Sequence, residues 1–190
     1  MKALEERILR EGQNLGSGIL KVDTIINHQV DPALMLEAGR ELAAIFRDVG
    51  ANKVLTAEIS GIAPALTTAL ALDVPLVYAR KTKPVTMTDP VYVEAAPSHT
   101  KGVSVFLMAS PEFLGPGDRV LLIDDFLASG QTILALVRMV RHAGAELVGI
   151  GALIEKSFEG GRVELNRFGV PLHALVTVTD MSDGKIVFSG

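Results

Sequence analysis

The sequence predicts an α/β fold in one domain: a central parallel sheet with helices on both faces. Three features carry that expectation. Runs such as RVLLID (Arg119–Asp124) and AELVGIGALIEK (Ala145–Lys156) are apolar at consecutive positions, as strands covered on both faces must be. Segments with helical spacing alternate with these runs, which is the pattern of parallel crossover units. No repeat, low-complexity stretch or Pro-, Gly- or Ser-rich linker divides the 190 residues, so a single core over residues 1–190 is expected.

The elements follow in chain order. The opening MKALEERILREG is charged and helical in pattern, unlike a secretory leader or a membrane span. A helix is expected over Pro32–Gly50: Asp31 precedes the proline, Leu34, Ala38, Leu42 and Ile45 recur on one face, and Gly50 marks the stop. KVLTAEI (Lys53–Ile59) reads as a strand, SGIAPALTTALAL (Ser60–Leu72) as a helix and VPLVYARK (Val74–Lys81) as the next strand. RVLLID then runs into SGQTILALVRMVRHAG, a helix from about Ser129 with Ile133, Val137 and Val140 on one face and Gly144 at its end. Three segments break the rhythm: Leu15–Ile26, Thr82–Ser110 and Val170–Gly190. They read as added strands or loops and are candidates for a lid over a site.

Composition narrows the function. The net charge of −4 argues against a general affinity for nucleic acid or an anionic membrane, so any anion site must be local. With no cysteine there are no disulfides, thiolate nucleophiles or Cys-based zinc sites. No apolar run approaches membrane-spanning length, and a soluble, cytoplasmic protein is expected. The nucleotide fingerprints G-x-x-x-x-G-K-[ST] and strand-linked G-x-G-x-x-G are absent, as are H-E-x-x-H and G-x-S-x-G. His28, His99, His142 and His173 are scattered and read as structural or surface residues rather than metal ligands.

The chemistry concentrates in VLLIDDFLASGQT, Val120–Thr132. A strand delivers Asp124 and Asp125 to the carboxyl edge of the sheet, where ligands of open α/β folds bind. The chain then turns through Ala128, Ser129 and Gly130 into a helix. The free N–H groups and dipole of that helix, with the hydroxyls of Ser129 and Thr132, suit a phosphate, while the carboxylates accept hydrogen bonds from sugar hydroxyls. Read alone, Ser129 is an ordinary helix cap; the whole string points to a sugar phosphate.

This string resembles the phosphoribosyl pyrophosphate (PRPP) motif of the type I phosphoribosyltransferases. The resemblance spans nearly the whole chain and is strongest to the Bacillus-type branch that uses xanthine, through LKVDTIINHQVDP, ISGIAPA, VYARK and IEKSFEGGR. It implies the type I phosphoribosyltransferase fold, with a hood from about residues 1–30 and 156–190 and a flexible lid over about 82–110. It also implies transfer of 5-phosphoribosyl from PRPP to xanthine, giving XMP and pyrophosphate in purine salvage, by a homodimer. By the same resemblance Asp124 and Asp125 contact the ribose hydroxyls as catalytic residues, and Ala128, Ser129, Gly130, Gln131 and Thr132 hold the 5-phosphate. Ser60, Gly61, Arg80 and Lys81 face the pyrophosphate, and Leu20, Asn27 and Lys156 bind the base. Phe158, two residues after Lys156, offers a ring to stack on it, with a core position as the commoner alternative. Mg²⁺ accompanies PRPP and is held mainly by it rather than by the protein.

Lys156 can only donate, which suits a carbonyl oxygen and disfavours the amine of adenine. Hypoxanthine and guanine transferases usually carry an Asp general base where this chain has Ala128. Xanthine is more acidic than hypoxanthine and has less need of that base. The residues alone leave adenine, guanine and hypoxanthine open as substrates, and a PRPP-sensing regulator remains the alternative to an enzyme.

Overall fold

The computed structural model describes residues 1–97 and 104–189; His99 and the 98–103 part of the expected lid lie outside them. The chain opens with α1 (Lys2–Glu11), the short strands β1 (Gln13–Asn14) and β2 (Leu20–Lys21), and a π turn over Asp23–Asn27. Next come α2 (Pro32–Ile45), β3 (Lys53–Ala57), α3 (Ile62–Leu72) and β4 (Leu76–Ala79). A hairpin, β5 (Tyr92–Pro97) and β6 (Ser104–Ala109), precedes β7 (Arg119–Leu127), α4 (Gln131–His142) and β8 (Glu146–Lys156). The chain ends through α5 (Gly161–Leu165), β9 (Leu172–Asp180) and β10 (Val187–Phe188).

Six strands form the central sheet in the order β10-β9-β8-β7-β3-β4, parallel except for β10. Successive side chains of β7 serve opposite layers. Leu121 and Ile123 pack with Leu4, Ile8, Leu42 and Phe46, whereas Val120 and Leu122 pack with Ile133, Leu136 and Val140 of α4. This division explains why the strand is apolar at every position.

The start of α2 is fixed as its sequence suggests. Asp31 Oδ1 accepts from the N–H groups of Ala33 and Leu34, both at 3.1 Å, with Pro32 in the first turn. Its end differs from expectation. The helix stops at Ile45 and a 3₁₀ turn, Arg47–Val49, leads to Gly50 at φ 68°. Ile45 is therefore exposed, and Phe46 takes the core position.

Two further corrections concern the site. β7 continues past Asp124 to Leu127, paired with β8, whereas its pairing with β3 ends at Leu122. Both aspartates thus lie within a strand on the stretch that has outrun one neighbour. The 82–110 segment is also partly core. Leu107 and Ala109 are buried, and Arg138 of α4 ties the hairpin down by donating to Glu94 Oε2 (3.1 Å) and the Ala95 carbonyl (2.5 Å).

Crossovers run from β3 through α3 to β4 in one direction, and from β7 through α4 to β8 in the other. The carboxyl ends of β3 and β7 therefore flank the switch point of the sheet, where open α/β folds bind ligands.

Candidate active site at the switch point

A cavity of about 320 Å³ opens beside this point. Asp124, Asp125 and the Ala128–Ile133 turn line one side; Lys81 and the hairpin residues Ala96, Pro97, Val105 and Leu107 line another; Phe126, Lys156 and Glu159 complete it. A larger cavity of about 510 Å³ lies along the edge strand β4, bounded by Leu76, Tyr78, Arg80, Met87 and Phe113. It includes neither aspartate nor the turn after β7, so the smaller cavity holds the chemistry.

The register of β7 explains its acids. Asp125 has no place in the pairing with β8, and β3 has already ended, so its N–H donates to Asp124 Oδ1 at 3.0 Å. Asp124 is almost fully buried. Burial, reinforced by the neighbouring Asp125 charge, pushes its carboxyl well above the usual carboxylate range, against a smaller opposing pull from Lys81. A ligand hydroxyl that donates to Asp124 would meet an acceptor poorly supplied with protein donors.

The turn after β7 presents backbone rather than side chains. Gly130 sits at φ 78° at the head of α4, and no side chain caps the helix, so Ser129 is not the N-cap. The first amides of α4 remain free for an anion. Behind the turn lies Gly161, whose N–H donates to the Ala128 carbonyl at 3.0 Å. A Cβ at Gly161 would collide with that carbonyl and approach Gly130 N to 2.7 Å, so the backing requires glycine. Gly161 is in turn held by an ion pair whose carboxylate, Glu155, is buried. Arg162 Nε and Nη2 donate to Glu155 at 2.7 and 2.5 Å, Thr177 Oγ1 donates to the same carboxylate at 3.3 Å, and Arg162 Nη1 donates to the Leu172 carbonyl at 3.2 Å.

The loop after β3 meets the acids through another glycine. A Cβ at Gly61 would strike Thr56 Oγ1 and come within 2.7 Å of Asp124 Oδ1. Glu58 joins this loop to the end of β4: its Oε1 accepts from Lys81 N at 2.6 Å, and its Oε2 pairs with Arg80 Nε at 2.8 Å. Lys81 consequently lines the aspartate cavity, whereas Arg80 lines the larger one beside Tyr78; Ser60 and Gly61 border neither.

The expected base-binding residues are not brought together equally. Lys156 lines the cavity, its Nζ 5.8 Å from the centre of the Phe126 ring. Leu20 is buried in the core and Asn27 is exposed at the end of the π turn; neither borders the cavity. Phe126, not Phe158, is the aromatic lining it, while Phe158 is 45% exposed and packs near Gly18. Sequence reasoning missed Phe126, Glu155 and Gly161, whereas Glu58 opens the EISG stretch, Glu58–Gly61, that the resemblance assigns to the pyrophosphate loop. Phe126 was visible inside the motif as an apolar position, and the Gly160–Gly161 pair as a turn; Glu155 carried no local signal.

The phosphoribosyl transferase domain matches residues 31–170. The chain belongs to that family. It is 46% identical over 189 residues, covering 100% of this chain and of the relative, to the xanthine phosphoribosyltransferase of Lactobacillus delbrueckii subsp. bulgaricus. It is 50% identical over 184 residues to that of Deinococcus deserti, covering 97% of this chain and 95% of the relative. Among solved structures, the adenine phosphoribosyltransferase of Rhodothermus marinus superposes with a TM-score of 0.74 at 27% identity, covering 93% of this chain and 99% of the other. The type I phosphoribosyltransferase fold expected from the sequence is thus the fold observed. Among the described residues, no helix is long and apolar enough to cross a membrane.

Proposed function

We propose that this phosphoribosyltransferase moves the 5-phosphoribosyl group of PRPP to xanthine, forming XMP and releasing pyrophosphate. The observation that carries this reading is that the Asp124–Thr132 segment and Lys156, over 20 residues apart in sequence, line one cavity. The full-length relatives named for xanthine support the choice of base.

In this reading Asp124 and Asp125 accept from the ribose hydroxyls, while the Ala128–Thr132 turn and the amides of α4 hold the 5-phosphate. Lys81 faces the leaving diphosphate from the cavity wall, and Ser60, Gly61 and Arg80 serve it from beside the cavity. Lys156 donates to a purine carbonyl against Phe126; Leu20 and Asn27, outside the cavity in this structure, reach the base only by a movement of the hood, residues 1–30 and 156–190. The transferred centre becomes oxocarbenium-like while charge grows on the diphosphate, so positioning and electrostatics supply most of the rate. Among the described residues no three of His, Cys, Asp or Glu cluster. The Asp124 and Asp125 oxygens fit a hard ion as minor ligands, with PRPP oxygens supplying the rest. Bound there, Mg²⁺ would neutralise diphosphate charge. The 82–110 segment serves as the lid, its strand β5 tied to α4 through Arg138.

A homodimer is part of the proposal. Leu66 and Leu70, 55% and 70% exposed, share one face of α3, and Tyr78 is exposed on the neighbouring edge strand. Leu70→Glu should shift the sedimentation coefficient from dimer to monomer.

The direct test incubates the protein with PRPP, Mg²⁺ and, separately, xanthine, hypoxanthine, guanine and adenine, with chromatography of the nucleotide products. XMP should dominate; preference for another base overturns the substrate. Lys156→Gln should raise the KM for xanthine by about tenfold or more while the KM for PRPP holds within twofold. Equal losses in both overturn the role of Lys156.

A further inference from the structure

Lys156 is already engaged by the protein itself. Its Nζ donates to the Gly18 carbonyl at 2.9 Å and forms an ion pair with Glu159. Both side chains are partly buried, and both line the cavity. Glu159 also reaches the loop that carries Gly18: a Cβ on Gly18 would stand 3.7 Å from Glu159 Oε1 and 3.4 Å from the Phe158 ring. A donor and a carboxylate acceptor therefore stand side by side where the base is read.

We propose that Glu159 is a specificity-determining residue that tunes the cavity towards neutral oxopurines. The inference rests on the assignment of Lys156 to the base. A neutral lactam edge offers a carbonyl oxygen next to an N–H, the complement of an ammonium next to a carboxylate. Adenine offers the reverse order and leaves both protein groups unpaired. Glu159 also cancels the charge of Lys156 at contact distance, which removes the advantage an anionic base would otherwise gain. Xanthine, the more acidic oxopurine, is the base most affected by that cancellation. Glu159 acts partly through Lys156 and so sets selectivity rather than turnover.

The test compares wild type, Glu159→Gln, Glu159→Asp and Lys156→Gln. It measures the KM for xanthine, the Ki of hypoxanthine as its competitor and the KM for PRPP. In Glu159→Gln the xanthine KM should fall by about three- to tenfold while the hypoxanthine Ki stays level or rises, with Glu159→Asp returning the ratio towards wild type. A ratio of the two constants within twofold of wild type in Glu159→Gln overturns the proposal. So does a parallel change of both constants and of the PRPP KM, the mark of a structural role. If Lys156→Gln leaves both base constants unchanged, the base pocket itself is misplaced; if it weakens xanthine and Glu159→Gln moves nothing, only the role of Glu159 fails.

Discussion

The two halves of the cavity are built on opposite plans. On the phosphate side, nine consecutive residues, Asp124–Thr132, supply the acids, the turn and the start of α4, and backbone geometry arranges them. On the base side, Lys156 and Glu159, three residues apart, meet the distant Gly18 loop, and the Lys156 side chain holds the two segments together. A site made of backbone is organised before its ligand arrives, whereas a site of paired charges must exchange one partner for another. The first plan suits a phosphate that every reaction of this family shares, and the second leaves room for a choice of base.

Breaking the phosphate half should have the largest effect. Asp124→Asn combined with Asp125→Asn should lower kcat/KM for PRPP by about 10²-fold or more, since each carboxylate makes charge-assisted hydrogen bonds, with the base Ki little changed. Steady-state kinetics with both substrates varied checks it. Next, Arg162→Ala leaves Glu155 buried without its partner. Urea denaturation should show a loss of about 2–3 kcal/mol, below the fully buried case because Arg162 is 38% exposed. Gly161→Ala pushes a methyl against the Ala128 carbonyl, and calorimetric titration should show PRPP binding weakened by about tenfold while the xanthine site is spared.

The smallest effect sharpens the contrast by pH. The folded-state pKa of Asp124 lies above its unfolded value of 3.8, so the folded protein binds more protons between the two and loses stability as pH rises through that window. Asp124→Asn should flatten that slope in melts without PRPP and raise Tm at neutral pH. A slope unchanged in the variant shows that Asp124 is not its source.

The same contrast governs what the sequence made legible. Strand β7, the turn and α4 are contiguous, so their order could be read directly; the reach of β7 to Leu127 could not, because it depends on β8 running alongside while β3 stops. Ile45 obeyed helical spacing, yet the tightening of the helix end put Phe46 into the core instead. Gly161 and Glu58 act on segments more than 20 residues away, and no local pattern marks such contacts. Phe158 sits two residues from Lys156, but the turn of the chain points it at Gly18, and Phe126 lines the cavity from the motif itself.

The placement of Phe158 has a spectroscopic use. The chain contains no tryptophan, so its emission under indole excitation is dark. Phe158 is half open to solvent and leans on the loop of Gly18, beside the Lys156–Glu159 pair. Phe158→Trp would therefore install a lone indole, excitable apart from the two tyrosines, in a space that admits the larger ring. Its colour and intensity would report, in real time and without a coupled assay, when that loop parts from the lysine.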